Sequence, residues 1–485
     1  MRARAVRAAV AVLAGTLAAC GALPRVGSDY GGPPATRSLA AAGSADAARA
    51  DARWQARLPH DGRADDLVSW WAQFEDPALD AFQAAAQRES GSLAQAAARI
   101  SQARAAAIAA QAAGLPTLDA RAVASRGTLA VGTTLLVATQ AGATAQAGWE
   151  IDLFGRIARE REAADARLAA RDAQWHDARV SVAAEVAAQY LQHRYCEAQV
   201  AIAQADATSR AETARISTAA AAAGFQAPAA AALARGSAAE AANRLIAQRA
   251  ECEVSVKALV ALTGLSEPEV RERLAGTAGR LPEPRAFAVT SVPADLLAQR
   301  PDLAAAEREL AAASADVGVA DGDRYPRLSL AGSVGPLRLQ TGGGSATLTP
   351  WSIGPSVTVP LFDGGRRAAV SQAARDAYRA AEAQYRAQAR QAVREVEEAL
   401  VRLAAANDRD ADARAAAQGY REAFAAAQAR WRTGLGSLIE LEESRRLALS
   451  ADSTLAAVQR DRVAAWVSLY RALGGGWTPE TRMPR

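Results

Sequence analysis

The same set of landmarks occurs twice along the chain, and that internal duplication limits what it can fold into more than any other feature. Leu93 and Pro116 recur as Leu303 and Pro326, each 210 residues on. Arg156 and Arg366, Glu185-Val186 and Glu395-Val396, and Gly224 and Gly434 repeat at the same offset of 210. Leu153-Phe154 returns as Leu361-Phe362 at 208, and Leu262-Thr263-Gly264 as Leu473-Gly474-Gly475 at 211. Alanine, the strongest helix former, supplies about a quarter of the residues, so alanine-rich stretches match by chance. The Pro, Leu-Phe and Gly landmarks do not, and they define two internal repeats.

Each copy reads alike. A helix runs to Gly114 or to about Gly322 and is ended by Pro116 or Pro326. Alternation follows: Leu118, Ala120, Ala122 and Ala124, then every second residue from Ala141 to Leu153, including Trp149 and Ile151. The second copy pairs Leu328, Leu330, Gly332 and Val334 with Ile353, Val357, Val359 and Leu361. Period-two alternation bounded by Gly and Pro predicts two strands per copy, four per chain. Residues 128–140 and 335–350, the latter with Gly342-Gly343-Gly344, are expected to be the loops between them. A proline-free stretch then predicts a helix of about 67 residues, roughly 100 Å long. Gly224 or Gly434 breaks it, and a helix of about 38 residues, roughly 57 Å, returns. The expected product is a helical column with strands at one end and glycine turns at the other. Four strands cannot close a barrel, and an open edge cannot face lipid. A chain of this kind must therefore oligomerise, unless its strands form a small soluble sheet capping the helices.

The N-terminus reads as an export signal: Arg2, Arg4 and Arg7, then a short apolar core ending in Leu17-Ala18-Ala19-Cys20. This resembles a bacterial lipobox, with cleavage before Cys20 and lipid on its thiol. Glycine rather than aspartate at position 21 fits outer-membrane sorting by the same resemblance. Loss of residues 1–19, which hold three arginines and no acids, lowers the formal charge from +4 to +1. A near-neutral mature chain argues against nucleic acid as a partner. No apolar run of 18 residues or more follows the signal, which excludes a membrane-spanning helix but not a β-barrel.

Several motifs together resemble the TolC-like outer membrane factors, and among them the NodT-type lipoproteins. They are Trp70-Trp71-x-x-Phe74-x-Asp76-Pro77-x-Leu79, Trp149-Glu150-Ile151-Asp152-Leu153-Phe154-Gly155-Arg156, Leu296-Leu297-x-x-Arg300-Pro301-Asp302-Leu303, and Tyr470-Arg471-Ala472-Leu473-Gly474-Gly475-Gly476-Trp477. Val26-Gly27-Ser28-Asp29-Tyr30 resembles the family's N-terminal segment, with serine where proline is usual. The resemblance covers nearly all of the mature chain. It implies an α plus transmembrane-β fold: a homotrimer with a 12-stranded β-barrel, four strands per chain, continued by a long α-helical periplasmic tunnel. It implies an outer-membrane exit duct that conducts small molecules such as drugs, metals or organic acids passively. The implied partners are a periplasmic adaptor, an inner-membrane efflux pump and outer-membrane lipid. No cofactor is implied beyond the lipid on Cys20. The expected organisation is a signal peptide at 1–19, a lipidated extended segment at 20–66, repeat 1 at 67–275, repeat 2 at 276–475 and a tail at 476–485. Repeat 1 holds a strand pair near 116–154 and a helical hairpin at 156–263; repeat 2 holds a pair near 326–362 and a hairpin at 366–475.

The same resemblance selects site residues. Gly434, Leu435 and Ser437 match the family's adaptor-touching tip, with Gly224 at the first tip; each glycine could equally be only a turn residue with positive φ. The first tip departs from the pattern at Gly224-Phe225-Gln226-Ala227-Pro228. Glu443 falls where related ducts carry an acidic ring that narrows the pore, with Glu440 nearby and Arg430 and Arg432 as gate partners. The competing reading is a solvated helix face with Glu442 paired to Arg445 and Arg446. Cys196 and Cys252 lie 29 residues before and 27 after the turn at about residue 225. They are therefore level on two antiparallel helices, and in an oxidising compartment a disulfide is expected.

Rival functions are weaker. A periplasmic coiled-coil lipoprotein that tethers an envelope layer would not need alternating strand pairs. An envelope enzyme would need a catalytic constellation. His60, His176 and His193 are too far apart for a metal motif, and there is no nucleophile elbow, P-loop or dinucleotide fingerprint.

Overall fold

The structure is a computed structural model that describes residues 26–32, 67–131, 134–276, 278–279, 281–282 and 299–477. The signal, Cys20 and most of the segment to residue 66 lie outside the described residues, as do residues 478–485. The helices are α1 (Pro77–Glu89), α2 (Gly91–Ala112), α3 (Arg156–Ala222), α4 (Pro228–Thr263), α5 (Glu267–Ala275), α6 (Pro301–Gly322), α7 (Arg366–Arg432) and α8 (Leu438–Ala472). The strands are β1 (Thr117–Val131), β2 (Thr134–Ile151), β3 (Arg327–Val334), β4 (Leu337–Thr341), β5 (Gly344–Leu348) and β6 (Trp351–Thr358). Both long helices, α3 and α7, contain 67 residues. The chain divides into two compact units, one built from residues 98–172 and 305–386 with the N-terminal segment, the other from 173–304, 387–485 and the stretch before residue 98.

In the first unit all strands join one antiparallel sheet. β1 pairs with β2, β2 with β3, and β3 with β6, with Leu118 opposite Ala147, Trp149 opposite Leu330 and Leu328 opposite Val357. Here the structure corrects the expected loops. Residues 128–131 and 134–140 continue the β1–β2 ladder, and residues 335–350 contain a second hairpin, β4–β5, rather than an open loop. The cause is the length of β2. Its 18 residues outrun the 8 of β3, which leaves backbone groups of β2 without partners, and β4 supplies them between Ala138 and Gly142. The switch from β3 to β4 needs Gly335, because a Cβ there would sit 1.9 Å from the Ala143 carbonyl oxygen. Gly342 and Gly343 form the turn between β4 and β5.

The strand-to-helix corners are capped by acids. Asp152 accepts from the Ala158 N–H at 2.8 Å, and Asp363 from the N–H groups of Gly365 and Arg367 at 3.0 and 3.1 Å. At the first corner the N-terminal segment is tied down. Val26 N–H donates to Phe154 O at 3.0 Å, and the buried Arg159 guanidinium donates to Val26 O, Gly27 O and Asp29 Oδ1 at 3.3, 3.0 and 2.8 Å.

The second unit has an aromatic core. Trp70, Phe74, Phe82, Tyr190, Trp466 and Tyr470 bury there with Leu259, Val396 and Leu400. Asp76 caps α1 through the N–H groups of Ala78 and Leu79, and Tyr190 OH donates to its other oxygen. Arg194 Nε donates to the Tyr190 oxygen at 3.0 Å and its Nη2 to Leu274 O at 2.9 Å. Cys196 and Cys252 form a disulfide between α3 and α4, with their Cα atoms 5.6 Å apart.

Ion pairing closes the other side of this core. Arg300 grips Asp302 with two hydrogen bonds, donates to Ala472 O at 2.9 Å and meets Glu395 at 2.9 Å. Asp177 stands among these groups. Burial, aided by Asp302 and Glu395 and opposed by Arg300 and Arg471, pushes its carboxyl up to about 6. A raised carboxyl costs stability where the folded protein must hold it ionised, above that value, and the cost vanishes as the pH falls toward the ordinary Asp range. Asp177→Asn should therefore stabilise the second unit by about 2–3 kcal/mol at pH 8 and by little at pH 4, read as the difference in Tm by circular dichroism. An equal effect at both pH values would refute the assignment.

Candidate functional site

The sheet of the first unit has two chemically different faces, sorted by the register. Asp119, Arg121, Ser125, Gln140, Thr144, Gln146, Ser329, Ser333, Ser352 and Ser356 share one face. They hydrogen-bond across the strands: Ser329 with Ser356 and Ser333 with Ser352 at 2.9 Å, and Gln140 Nε2 to Ser125 Oγ at 2.9 Å. The opposite face carries Leu118, Ala120, Ala122, Ala124, Trp149, Ile151, Leu330, Trp351, Ile353 and Val357. Leu118, Trp351 and Ile353 are 77, 74 and 70 % exposed. Along β2 this face is apolar at every second residue from Ile151 to Ala141. Ten residues at about 3.3 Å make roughly 33 Å along the strand, or about 25 Å of height at barrel tilt, the thickness of an outer-membrane apolar band. Trp149 is anchored at the helix end of this band by a 3.0 Å hydrogen bond from Nε1 to Gly114 O.

At the far end of the hairpins of the second unit lie the glycine turns. Gly224 and Gly434 both have φ of 78°, a left-handed conformation that favours glycine, and each turn closes with a 2.8 Å backbone bond, Phe225 N–H to Ala220 O and Leu435 N–H to Arg430 O. The first tip, atypical in sequence, thus has the same backbone turn as the second. Phe225 and Leu435 project from them, largely exposed. Ser437 is the N-cap of α8, accepting from Glu440 N–H at 3.1 Å.

The acidic residues past the second tip separate into three environments. Glu440 forms an ion pair with Arg430 across the turn. Glu443 lies exposed and pairs with Arg446 on its own helix, whose hydrogen bond holds its carboxyl below the usual range. Its partner in this chain is neither Arg430 nor Arg432. Arg432 lines a groove with Thr208, Glu212 and Gln428. Glu442 is the one that ties helices together. It accepts from Arg210 on α3, Ser237 on α4 and Arg445 on α8. Arg445, 1 % exposed, also donates to Ser209 and Thr213 on α3 at 3.1 and 3.0 Å and lies over the Phe424 ring of α7. Burial lowers its pKa. Arg210 continues the network to Asp206, which also meets Arg244. Sequence reasoning saw Glu442 only as part of a solvated face, because Arg210 is 232 residues away along the chain. The available signal was the Asp206 and Arg210 pair at i and i+4 on α3. Among the described residues no three His, Cys, Asp or Glu side chains converge as a metal site would require.

Removing one partner of a buried ion pair leaves the other charge uncompensated. Glu442→Ala should destabilise the tip region by about 3 kcal/mol, and Glu443→Ala by much less, measured as loss of amide exchange protection around residues 205–215 and 438–446. Equal effects of the two variants would remove Glu442 from its special place.

The sequence profile of the family described as Outer membrane efflux protein matches residues 83–265 and 292–475. Nodulation protein T of Rhizobium leguminosarum bv. viciae is 28 % identical over 422 residues, 86 % of this chain and 86 % of that protein. The solvent efflux pump outer membrane protein SrpC of Pseudomonas putida is 29 % identical over 417 residues, covering 84 % and 87 %. The solved outer-membrane channel OprN superposes with a TM-score of 0.78 at 30 % identity, covering 88 % of this chain and 96 % of that one.

Proposed function

This chain belongs to the outer membrane efflux protein family, and we propose from that premise that it is the exit duct of a tripartite efflux system, assembled as a homotrimer in the outer membrane. The observation that carries the reading is the two-faced sheet. An exposed apolar face next to a polar, serine-lined face fits a barrel wall between lipid and water. The β1–β2–β3–β6 sheet ends in two open edges, and open edges in lipid are forbidden. Three chains would contribute 12 such strands and close the wall, with the helical hairpins continuing it as a periplasmic tunnel.

The wall's inner face offers hydroxyls, amides and the Asp119 and Arg121 charges rather than a deep apolar pocket. That supports passage of a hydrated solute without tight binding and without chemistry, the energy coming from an inner-membrane pump. The exposed Phe225 and Leu435 support docking of a periplasmic adaptor at the tips. Glu443, exposed, could stand in a ring of three like charges near the tunnel mouth, whereas Glu442 braces the helices behind it. Lipidation at Cys20 is supported by the tie at Val26. Six residues of extended chain reach at most about 20 Å, so the lipid would enter the membrane close to the Phe154 corner.

Native mass spectrometry of the protein extracted from outer membranes in mild detergent tests the reading. A trimer whose chains begin at an acylated Cys20 is expected; a stable monomer would sink the duct. In planar bilayers Glu443→Lys should raise the conductance of the resting channel, and an unchanged conductance would exclude Glu443 from the constriction.

A further inference from the structure

The apolar face of the sheet changes character at its end away from the helices. Two cross-strand rows stand there. One runs Ala124, Ala141, Arg338 and Thr347, and the next Arg126, Thr139, Gln340 and Ser345. By strand alternation all eight share the face of Leu118, Trp149 and Ile353. β1 and β4 flank β2, so Arg126 and Arg338 are two strand spacings apart and two residues out of step, roughly 12 Å between Cα atoms. Both are exposed.

We propose that Arg126 and Arg338 together hold the phosphate groups of an anionic glycolipid in the outer leaflet, one lipid per chain. The inference rests on the reading of the sheet as a barrel wall in the outer membrane and adds a lipid site to it.

The sorting of charge is the first support. The described strands hold two acids, Asp119 and Glu150, and both lie on the polar face. Arg121 and Arg327 lie on that face too, Arg327 paired with Asp323. Arg126 and Arg338 alone turn to the apolar side, where no described strand residue offers a carboxylate to meet them. Height is the second support. A cation that faces lipid is costly at the midplane and nearly free at the interface. Counted along β2 from Ile151, the partners Ala141 and Thr139 lie 10 and 12 residues on. That is roughly 33 and 40 Å of strand, or about 25 and 30 Å of height at barrel tilt. The arginines therefore stand where the apolar band gives way to headgroups, at the end opposite Trp149. The third support is the company they keep. Thr139, Gln340, Ser345 and Thr347 surround them with uncharged hydrogen-bonding groups suited to a sugar, and the guanidinium fork matches phosphate oxygens two at a time. The β4–β5 hairpin supplies Arg338 and three of those four neighbours, so it builds half of the site. A soluble anion could meet the same forks, but it would have no use for the apolar wall beneath them, which takes acyl chains.

Lipid A, a glycolipid that carries two phosphates, is the probe. The full-length protein, purified in mild detergent and freed of glycolipid, is titrated with it while bound copies are counted by native mass spectrometry. One lipid per chain is expected. Arg126→Gln with Arg338→Gln should weaken binding at least about tenfold, whereas Arg121→Gln, on the polar face, should leave it unchanged. A double variant that binds lipid A as tightly as the unsubstituted protein overturns the site, and so does equal binding of the same lipid stripped of its phosphates. Displacement of lipid A by an equal concentration of inorganic phosphate overturns the lipid assignment in favour of a free anion. A monomeric mass for the unsubstituted protein overturns the barrel reading itself, while a trimer whose lipid A binding ignores both arginines overturns only the lipid site.

Discussion

A strand that faces hydrocarbon must have all its backbone N–H and C=O groups paired, since no water is there to take them. Much of the first unit follows from that requirement. β2 is 18 residues long; β1 serves one side from Thr134 to Gly148, and β3 and β4 serve the other from Ala145 to Ile151 and from Ala138 to Gly142. The chain doubles back at Gly335, and β4 extends the pairing on the second side as far as Ala138. What it does not supply alone is a neighbour for the outer edges of β1 and β6, which the proposed trimer would provide. In that proposed barrel, hydrophobic burial would be a weaker driving force, because the apolar face would stay exposed to lipid.

The second unit is held by different means. Its helices are rich in alanine, which packs closely but buries little area, and the charges that join them do much of the specifying. Arg194, Arg300 and Arg445 are each buried, and each ties its own segment to at least one other element through hydrogen bonds. Arginine suits this place because its planar fork satisfies several acceptors at once. The disulfide adds a covalent tie to one hairpin only, α3 with α4.

Regular periods made the helices and main strands legible. The 67-residue helices followed from glycine and proline positions, and the four principal strands from alternation at period two. The β4–β5 hairpin was not legible. Leu337-Arg338-Leu339-Gln340 alternates, but over only a few residues beside a glycine triplet, and its reason for existing is the excess length of a strand elsewhere. The turn residues Gly224 and Gly434 were visible because a positive φ demands glycine. The brace around Glu442 was not, since its acceptors and donors come from helices far apart in sequence and local spacing cannot report them. Glu443, chosen by family position, and Glu442, found by geometry, are neighbours with opposite surroundings, one exposed and one enclosed.

The two glycine turns share a backbone but not a surface. One presents Phe225-Gln226-Ala227-Pro228 and the other Leu435-Gly436-Ser437, with the Arg430–Glu440 pair beside it. In a trimer these would alternate around the mouth, giving six tips of two kinds. Stoichiometry then becomes a matter of recognition. A docking protein that engages every tip must either come as three copies, each reading one unlike pair, or come as six copies that fit two different sockets with the same face.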